Sequence, residues 1–388
     1  MEFKPVEQSF SVAFRYKLHF TQNLFDIENS LFKDVLEGYK KNEAIKLLFV
    51  IDDGVSDNHP ALLEAITKYC DHYSNNLQHT ASLIISGGEQ CKNDRESVEK
   101  VLSAINDEHI DRHSFVIVIG GGAVIDMAGY AASIAHRGVK LIRIPATVLS
   151  QNDAAVGVKN GINSFKKKNF LGTFAPPYAV INDIDFLKTL AQRDWIAGIA
   201  EAVKVALIKD SDFFEYIERN SKKLRDRDYE AMQYIIHKCA EMHMHHITQG
   251  GDPFESGSSR PLDFGHWAAH KLEQMTDYSL RHGEAVAKGI ALDTTYAQLS
   301  GLISESTFKR VLNVMTEIGF DLEIPLKANN EMNDLMHGIQ EFQEHLGGEL
   351  CITLIKGLGK KHDVNEIDID RMKRAVMILN EHCKLYTV

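Results

Sequence analysis

His266 and His270 stand four residues apart in a helix-like segment, so both side chains project from one face. His282 follows sixteen residues after His266, just ahead of another helix-like segment. Glu201 lies in an alanine-rich stretch, Trp195 to Ala206. A glutamate with two or three histidines is a common ligand set for a catalytic divalent metal with an open position. The spacing alone leaves a second reading, histidines scattered on a surface. Gly198, Ala200, Ala202, Gly265, Ala268, Ala269 and Gly283 surround these positions and would let helices approach closely. The chain has 18 histidines, so histidine content alone singles out none of them. The run Met242 to His246 (MHMHH) is a competing cluster, but its histidines cannot all face one side of a helix. It reads as a solvated or mixed face.

A second chemistry is phosphate recognition. Lys159, Lys166, Lys167, Lys168 and Asn169 form a basic stretch in an acidic chain. Ammonium groups and an amide suit phosphate oxygens; the other reading is a solvated loop. Gly120-Gly121-Gly122 follows an apolar run and opens a helix-like segment. Backbone amides at such a turn attract phosphate, and glycines admit a pyrophosphate closely. The pattern is not GxGxxG, because Ile125 occupies the place of the third glycine. Gly88 to Lys92 (GEQCK) follows another strand-like run and by itself reads as a charged turn.

The elements that would position these residues are legible as patterns. Lys46–Asp52, Thr80–Ser86, Phe115–Ile119, Val139–Ile144 and Tyr178–Ile181 are strand-like. Between them, His59–Tyr73, Asp94–Asp107 and Ala123–Ala135 have helical spacing. This alternation predicts a Rossmann-like parallel sheet covered by helices. From about Asp183 strand signals are few. Ala191–Lys209, Asp212–Arg225, Tyr229–Thr248, Leu262–Met275, Gly283–Ser300 and Ser304–Ile318 read as helices. The expectation is an α/β domain over 1–185 and a mainly α-helical domain over 186–388, joined near Asp183 to Leu190. Gln249 to Pro261 is rich in turn residues and reads as a loop.

Composition narrows the function classes. The chain has 388 residues, which suits two domains rather than one core. With 43 Lys and Arg against 54 Asp and Glu, the net charge is -11, which disfavours nucleic acid and anionic membrane. No apolar run approaches the ~20 residues that span a bilayer. Met1 to Ala13 lacks a signal-peptide core, and Cys70, Cys91, Cys239, Cys351 and Cys383 show no CxxC, so the expected setting is cytoplasmic with reduced thiols.

Taken together, the ordered blocks resemble the sugar-phosphate cyclases of the dehydroquinate synthase superfamily. The resemblance runs from about Asp52 to Asp368. It is carried by GGEQCK (Gly87–Lys92), GGGAVIDMAG (Gly120–Gly129), HRG (His136–Gly138), IPAT (Ile144–Thr147), NDAAVGVKNGIN (Asn152–Asn163) and KKNFLGTF (Lys167–Phe174). It continues through FLKTL (Phe186–Leu190), GIAEAVK (Gly198–Lys204), FGHWAAH (Phe264–His270) and RHGEAVAKG (Arg281–Gly289). Within the superfamily the chain is most similar to the branch of the ebo-cluster cyclase and the 2-epi-5-epi-valiolone synthases.

The resemblance implies NAD on the sheet domain and a divalent metal, zinc or cobalt, in the helical domain. By motif, Glu201, His266 and His282 are the implied metal ligands. Asp52, Glu89, Lys92, Gly121, Gly122, Asp126, Thr147, Phe186 and Thr189 fall on NAD-contacting positions. Lys159, Lys168 and Asn169 fall where relatives hold NAD or the substrate phosphate. Asp153, Lys204, Lys238 and His270 match substrate-contacting positions. Arg137 matches an arginine that reaches the neighbouring subunit's substrate, which implies a homodimer. The implied reaction returns NAD unchanged while phosphate is eliminated and a carbocycle closes.

Two departures bear on substrate. Dehydroquinate synthases carry RxxxNxGH before the first histidine; here that spacing gives Ser259 and Asp263, with Arg260 one residue out of register. They also carry a lysine pair where this chain has Gln343-Glu344. A carboxylate replaces an amide and a cation is lost, which predicts a carboxylate-free sugar phosphate such as sedoheptulose 7-phosphate. The alternatives are 3-dehydroquinate synthase activity and, from the same two-domain plan, a metal-dependent alcohol dehydrogenase.

Overall fold

In the computed structural model, residues 4–40, 43–165, 167–250, 254, 262–327 and 330–386 are described. The first half is built from β1 (Lys17–Thr21), α1 (Leu31–Glu37), β2 (Ile45–Asp52), α2 (Asp53–Asn58), α3 (Leu62–His72), β3 (Leu77–Ile85), α4 (Gln90–Asn93) and α5 (Arg95–Asp107). It continues with β4 (Phe115–Gly120), α6 (Gly122–Ile134), β5 (Lys140–Pro145), the β6 (Lys159–Ser164) and β7 (Lys167–Phe174) hairpin, and β8 (Ala179–Asp183). Six strands pair in the order β1-β8-β5-β4-β2-β3, all parallel. All six residues of β4 are buried, as a parallel strand covered on both faces requires. One apolar cluster covers each face of this sheet. Asp94 caps α5 by accepting from Glu96 N at 2.9 Å.

The strand order reverses between β2 and β4. In a parallel sheet the crevice at such a reversal, outside the carboxyl ends of the strands, is where ligands bind. Asp52 ends β2 and Gly120 ends β4, so both face it. A π-type turn at Ser150–Ala154 follows β5, a form found mostly at functional positions.

The second half is helical: α7 (Gln192–Ala197), α8 (Ile199–Lys209), α9 (Ser211–Arg225), α10 (Tyr229–Gln249), α11 (His266–Met275), α12 (His282–Leu299), α13 (Glu305–Ile318) and α14 (Glu331–His345). A short hairpin, β9 (Ile352–Ile355) and β10 (Lys361–Val364), and α15 (Ile369–Tyr386) close it. One apolar core joins these helices. No helix among the described residues is long and apolar enough to cross a membrane.

Several expected elements change shape in three dimensions. The helix expected over Ala191–Lys209 is two helices, because Gly198 presses on the turn after β5. A Cβ there would lie 2.5 Å from Leu149 N, and Asn152 Nδ2 donates to Gly198 O at 2.8 Å. The helix expected from Leu262 starts at His266, since Gly265 takes φ +77. β1, β6 and β7 carried no strand signal. β6 reads KNGINS, a poor strand sequence, and forms because β7 pairs with it antiparallel. Of the Gln249–Pro261 loop, Gln249 ends α10, and 251–253 and 255–261 lie outside the described residues.

Candidate active site

The crevice is organised around Asp52. Its carboxylate accepts from Gly54 N at 3.0 Å and Gly121 N at 3.4 Å. A Cβ at Gly120 would lie 2.9 Å from Asp52 Cβ, so the backbone after β4 can approach only without a side chain. Burial raises the Asp52 carboxyl, and the amide hydrogen bonds oppose it. Gly122 opens α6 against Ala154 of the π-type turn, and Thr147 packs near Gly121. Thr147 Oγ1 and Ser150 Oγ are 2.7 Å apart, which fixes that turn. Phe186 packs on His59 at 5.3 Å, and Thr189 Oγ1 meets His59 Nε2 at 2.8 Å.

A polar network continues from this turn. Lys92 is buried, donates to Asp126 Oδ2 at 2.8 Å and contacts Asn169 Oδ1. Burial would lower its ammonium, but Asp126 and Glu89 raise it. Asn163 donates to Glu89 at 2.9 Å and accepts from Asn169 N at 2.8 Å. Asn169 takes φ +53, so the hairpin is bent where its amide meets this network. Eight of the sequence-expected cofactor positions (Asp52, Glu89, Lys92, Gly121, Gly122, Asp126, Thr147 and Asn169) therefore line one continuous region.

The helical half contributes the second cluster. Glu201 on α8, His266 on α11 and His282 on α12 bring a ligand atom each within 4.8 Å of one another. His266 Nε2 lies 3.6 Å and His282 Nε2 3.8 Å from Glu201 Oε1. Glu201 is fully buried, and its Oε1 has no hydrogen-bond partner. An orphaned buried carboxylate oxygen facing two imidazole nitrogens is costly unless a cation sits between them. Metal bonds of about 2.0–2.2 Å at tetrahedral angles require ligand separations of this size. The residues therefore fit a divalent ion. Burial holds His266 well below its ordinary pKa, reinforced by Lys204, so it is the neutral ligand form. Outer contacts orient both rings: His266 Nδ1 meets Phe264 O at 3.2 Å, and His282 Nδ1 meets Glu273 Oε2 at 3.2 Å.

Around this set stand groups that can meet a polyol. Lys204 is buried and ion-paired with Glu201. Its desolvation is outweighed by Glu201 and Asp153, with Asp263 adding to them, so it stays charged. Burial would raise the Asp153 carboxyl, but His243 and Lys204 hold it far below the usual range. The His270 ring lies 5.6 Å from that of His266 and 6.0 Å from that of His282.

Other expected residues fall elsewhere. Lys238 is half-buried on α10, reaching Glu241 at 3.4 Å and Asp210 at 3.9 Å. Arg137 is exposed at the turn after α6. Gln343 donates to Gly348 O at 2.9 Å, closing the turn after α14, and Glu344 is exposed. Lys159 is exposed on β6, with its carbonyl held by Arg143. Arg260, Ser259 and Lys166 lie outside the described residues.

Three contributors escaped the sequence reading. His243 Nδ1 lies 3.0 Å from Asp153 Oδ1, so one histidine of the MHMHH run turns inward. Its signal was the four-residue step from buried Cys239 on the same face of α10. Arg143 is wholly buried on β5 and holds the segment after the π-type turn, donating to Ala155 O at 2.9 Å, Gly157 O at 2.6 Å and Asn160 Oδ1 at 2.8 Å. Glu273 links His282 to Lys168.

Comparison with known proteins decides the family. The 3-dehydroquinate synthase N-terminal family pattern matches residues 82–197, and the C-terminal one matches 198–341. The chain belongs to the 3-dehydroquinate synthase family. A 3-dehydroquinate synthase of Aliivibrio fischeri (strain MJ11) is 34% identical over 314 residues, 80% of this chain and 84% of that protein. That of Alkaliphilus metalliredigens (strain QYMF) is 35% identical over 283 residues, 73% and 78% of the two chains. Among solved structures, 2-epi-5-epi-valiolone synthase from Streptomyces hygroscopicus subsp. jinggangensis 5008, with NAD+ and Zn2+ bound, superposes with a TM-score of 0.87. It is 27% identical and covers 97% of this chain and 100% of its own. A 2-deoxy-scyllo-inosose synthase with carbaglucose-6-phosphate, NAD+ and Co2+ shares the fold at a TM-score of 0.76 and 23% identity, over 94% of this chain and 96% of its own. This family member is a sugar-phosphate cyclase of the superfamily.

Proposed function

We propose that the chain cyclises a seven-carbon sugar phosphate without a carboxylate, sedoheptulose 7-phosphate, with elimination of phosphate. The observation that carries the choice is Asp263, an anion near enough to Lys204 to strengthen its charge. Dehydroquinate synthases resembling this chain place an amide there. A substrate carboxylate would meet a second anion, while a neutral polyol meets a hydroxyl acceptor. A charge pair in a site of intermediate dielectric interacts by about 4 kcal/mol at ~4 Å, and each ~1.4 kcal/mol is tenfold in preference.

In this reading NAD occupies the crevice at Asp52, Glu89, Lys92, Gly121, Gly122, Asp126, Thr147, Phe186 and Thr189, and a divalent metal, zinc or cobalt, is held by Glu201, His266 and His282. Bound, they supply a reversible hydride acceptor and a Lewis acid. Lys168 and Asn169 hold the phosphate through charge-assisted hydrogen bonds. Asp153, Lys204 and His270 bind ring hydroxyls, with Asp153 steadied by His243. The buried ammonium of Lys204 stabilises negative charge that develops on a hydroxyl beside it. The sheet domain, 1–185, carries the cofactor, and the helical domain, 186–388, carries metal and substrate. The working unit is a cytoplasmic homodimer in which Arg137 serves the neighbouring site.

The test compares phosphate release from sedoheptulose 7-phosphate and from the carboxylated shikimate-pathway substrate at saturating NAD and metal, with product identification. The expected result is preference for the first by about tenfold or more, with no net NADH. Preference for the carboxylated sugar would return the chain to 3-dehydroquinate synthase activity, as its curated relatives are named. Stoichiometric NADH would favour a dehydrogenase.

A further inference from the structure

Lys168, Glu273 and His282 form a chain of contacts from the basic hairpin to the candidate metal ligands. Lys168 Nζ lies 2.9 Å from Glu273 Oε1 and 3.1 Å from Oε2. Glu273 Oε2 lies 3.2 Å from His282 Nδ1, and His282 Nε2 faces Glu201. Lys168 belongs to β7 of the sheet half and Glu273 to α11 of the helical half, so the ion pair bridges the two. Glu273 is buried, at 4% exposure, so its charge must be balanced inside the protein. It meets Lys168, His282 and, within the same cluster, His270. The lysine and His282 share one carboxylate oxygen. Charge that Lys168 draws from it is withdrawn from the bond that orients His282.

We propose that Glu273 is a positioning residue that couples the anion subsite to the metal subsite. It fixes His282 with Nδ1–H donating and the Nε2 lone pair aimed at Glu201. An anion that draws Lys168 off the carboxylate strengthens that bond, and with it the grip of His282 on a divalent ion. A carboxylate behind a ligating histidine raises its basicity and sets its tautomer. By linkage, the metal tightens anion binding by the same factor. The inference rests on the assignment of Lys168 to phosphate under the proposed function.

The experiment measures Co2+ affinity of the full NAD-loaded protein by chelator competition, with and without inorganic phosphate, together with the visible Co2+ absorption. Phosphate should tighten Co2+ about fivefold and shift the absorption. Glu273→Gln should weaken Co2+ about tenfold and abolish the phosphate effect, with the melting temperature of the metal-free protein retained. Should that variant fail to fold, Lys168→Met serves: it should still bind Co2+ and lose the phosphate dependence. No phosphate effect in the unaltered protein would overturn the coupling. So would an effect of equal size in Glu273→Gln or Lys168→Met, which would trace it to the anion's own charge. Calorimetry separates the premise: unchanged phosphate affinity in Lys168→Met would remove the anion subsite itself, and the coupling with it.

Discussion

Among the candidate metal ligands, His266 has the form that ligation requires. Burial keeps it neutral, the Phe264 carbonyl fixes Nδ1, and Nε2 is left facing Glu201. Replacing His266 with Ala should remove most bound metal, measured by elemental analysis after desalting, and cost at least about a hundredfold in turnover. Full metal occupancy would dismiss it as a ligand. Asp293 holds both neighbours of His266, accepting from Gly265 N at 3.0 Å and Trp267 Nε1 at 2.9 Å. Burial pushes its carboxyl from 3.8 up to about 7, against the pull of those hydrogen bonds. The unfolded chain releases this proton near pH 4 and the fold near pH 7, so the fold holds the extra proton in between. Its contribution to stability is full below the lower value and falls as pH rises through the window, by about 4 kcal/mol if Asp293 acted alone. Asp293→Asn should therefore flatten the pH dependence of the urea midpoint across that window. Equal slopes for the two proteins would show that Asp293 does not titrate there.

At the scale of elements, the site depends on helices packed closer than side chains allow. A Cβ on Gly289 of α12 would lie 2.8 Å from Gly265 C, and one on Gly283 would lie 2.6 Å from Ala197 C. Gly265 combines this crowding with φ +77, a Cβ there reaching Ile290 N at 2.6 Å. Gly265→Ala should cost about 2–4 kcal/mol from backbone strain and displacement together. It should also weaken Co2+ binding, because α11 carries His266 and α12 carries His282. Denaturant titration and chelator competition on one preparation check both. A stable variant with unchanged affinity would mean that the helices tolerate separation.

At the scale of the molecule, a parallel sheet supplies a crevice at its strand reversal, and the helical half brings the candidate metal set. Arg137 stands apart from both. It is exposed, and His136 and Arg137 take φ +50 and +64, an unusual pair of non-glycine residues in the left-handed region. If Arg137 completes the site of a second copy, mixing inactive Arg137→Ala and His266→Ala chains should restore about a quarter of the normal rate, since half the dimers hold one complete site. Light scattering gives the mass, and phosphate release gives the rate. No restoration in proven mixed dimers would place Arg137 in its own chain's site or outside any site.

The sequence by itself determined five of the six strands of the sheet, the run of helices from Gln192 to Ile318 and the spacing of the three candidate metal residues. Buried parallel strands are continuous apolar runs, such as Phe115–Ile119, and helices repeat their apolar residues at a fixed step, so each local pattern carries its own answer. Tertiary structure decided what no local pattern contains. β6 pairs with β7 despite its Asn and Gly. Gly198 splits a helix because a turn some 50 residues earlier presses on it, and Arg143 is buried among the carbonyls of the segment it holds. His243 points at Asp153, and Lys238, one residue before Cys239, points at Asp210 instead. Periodicity gives the face a residue occupies on its own element. Which distant element covers that face is set by packing, and so are the contacts that join Lys168, Glu273 and His282.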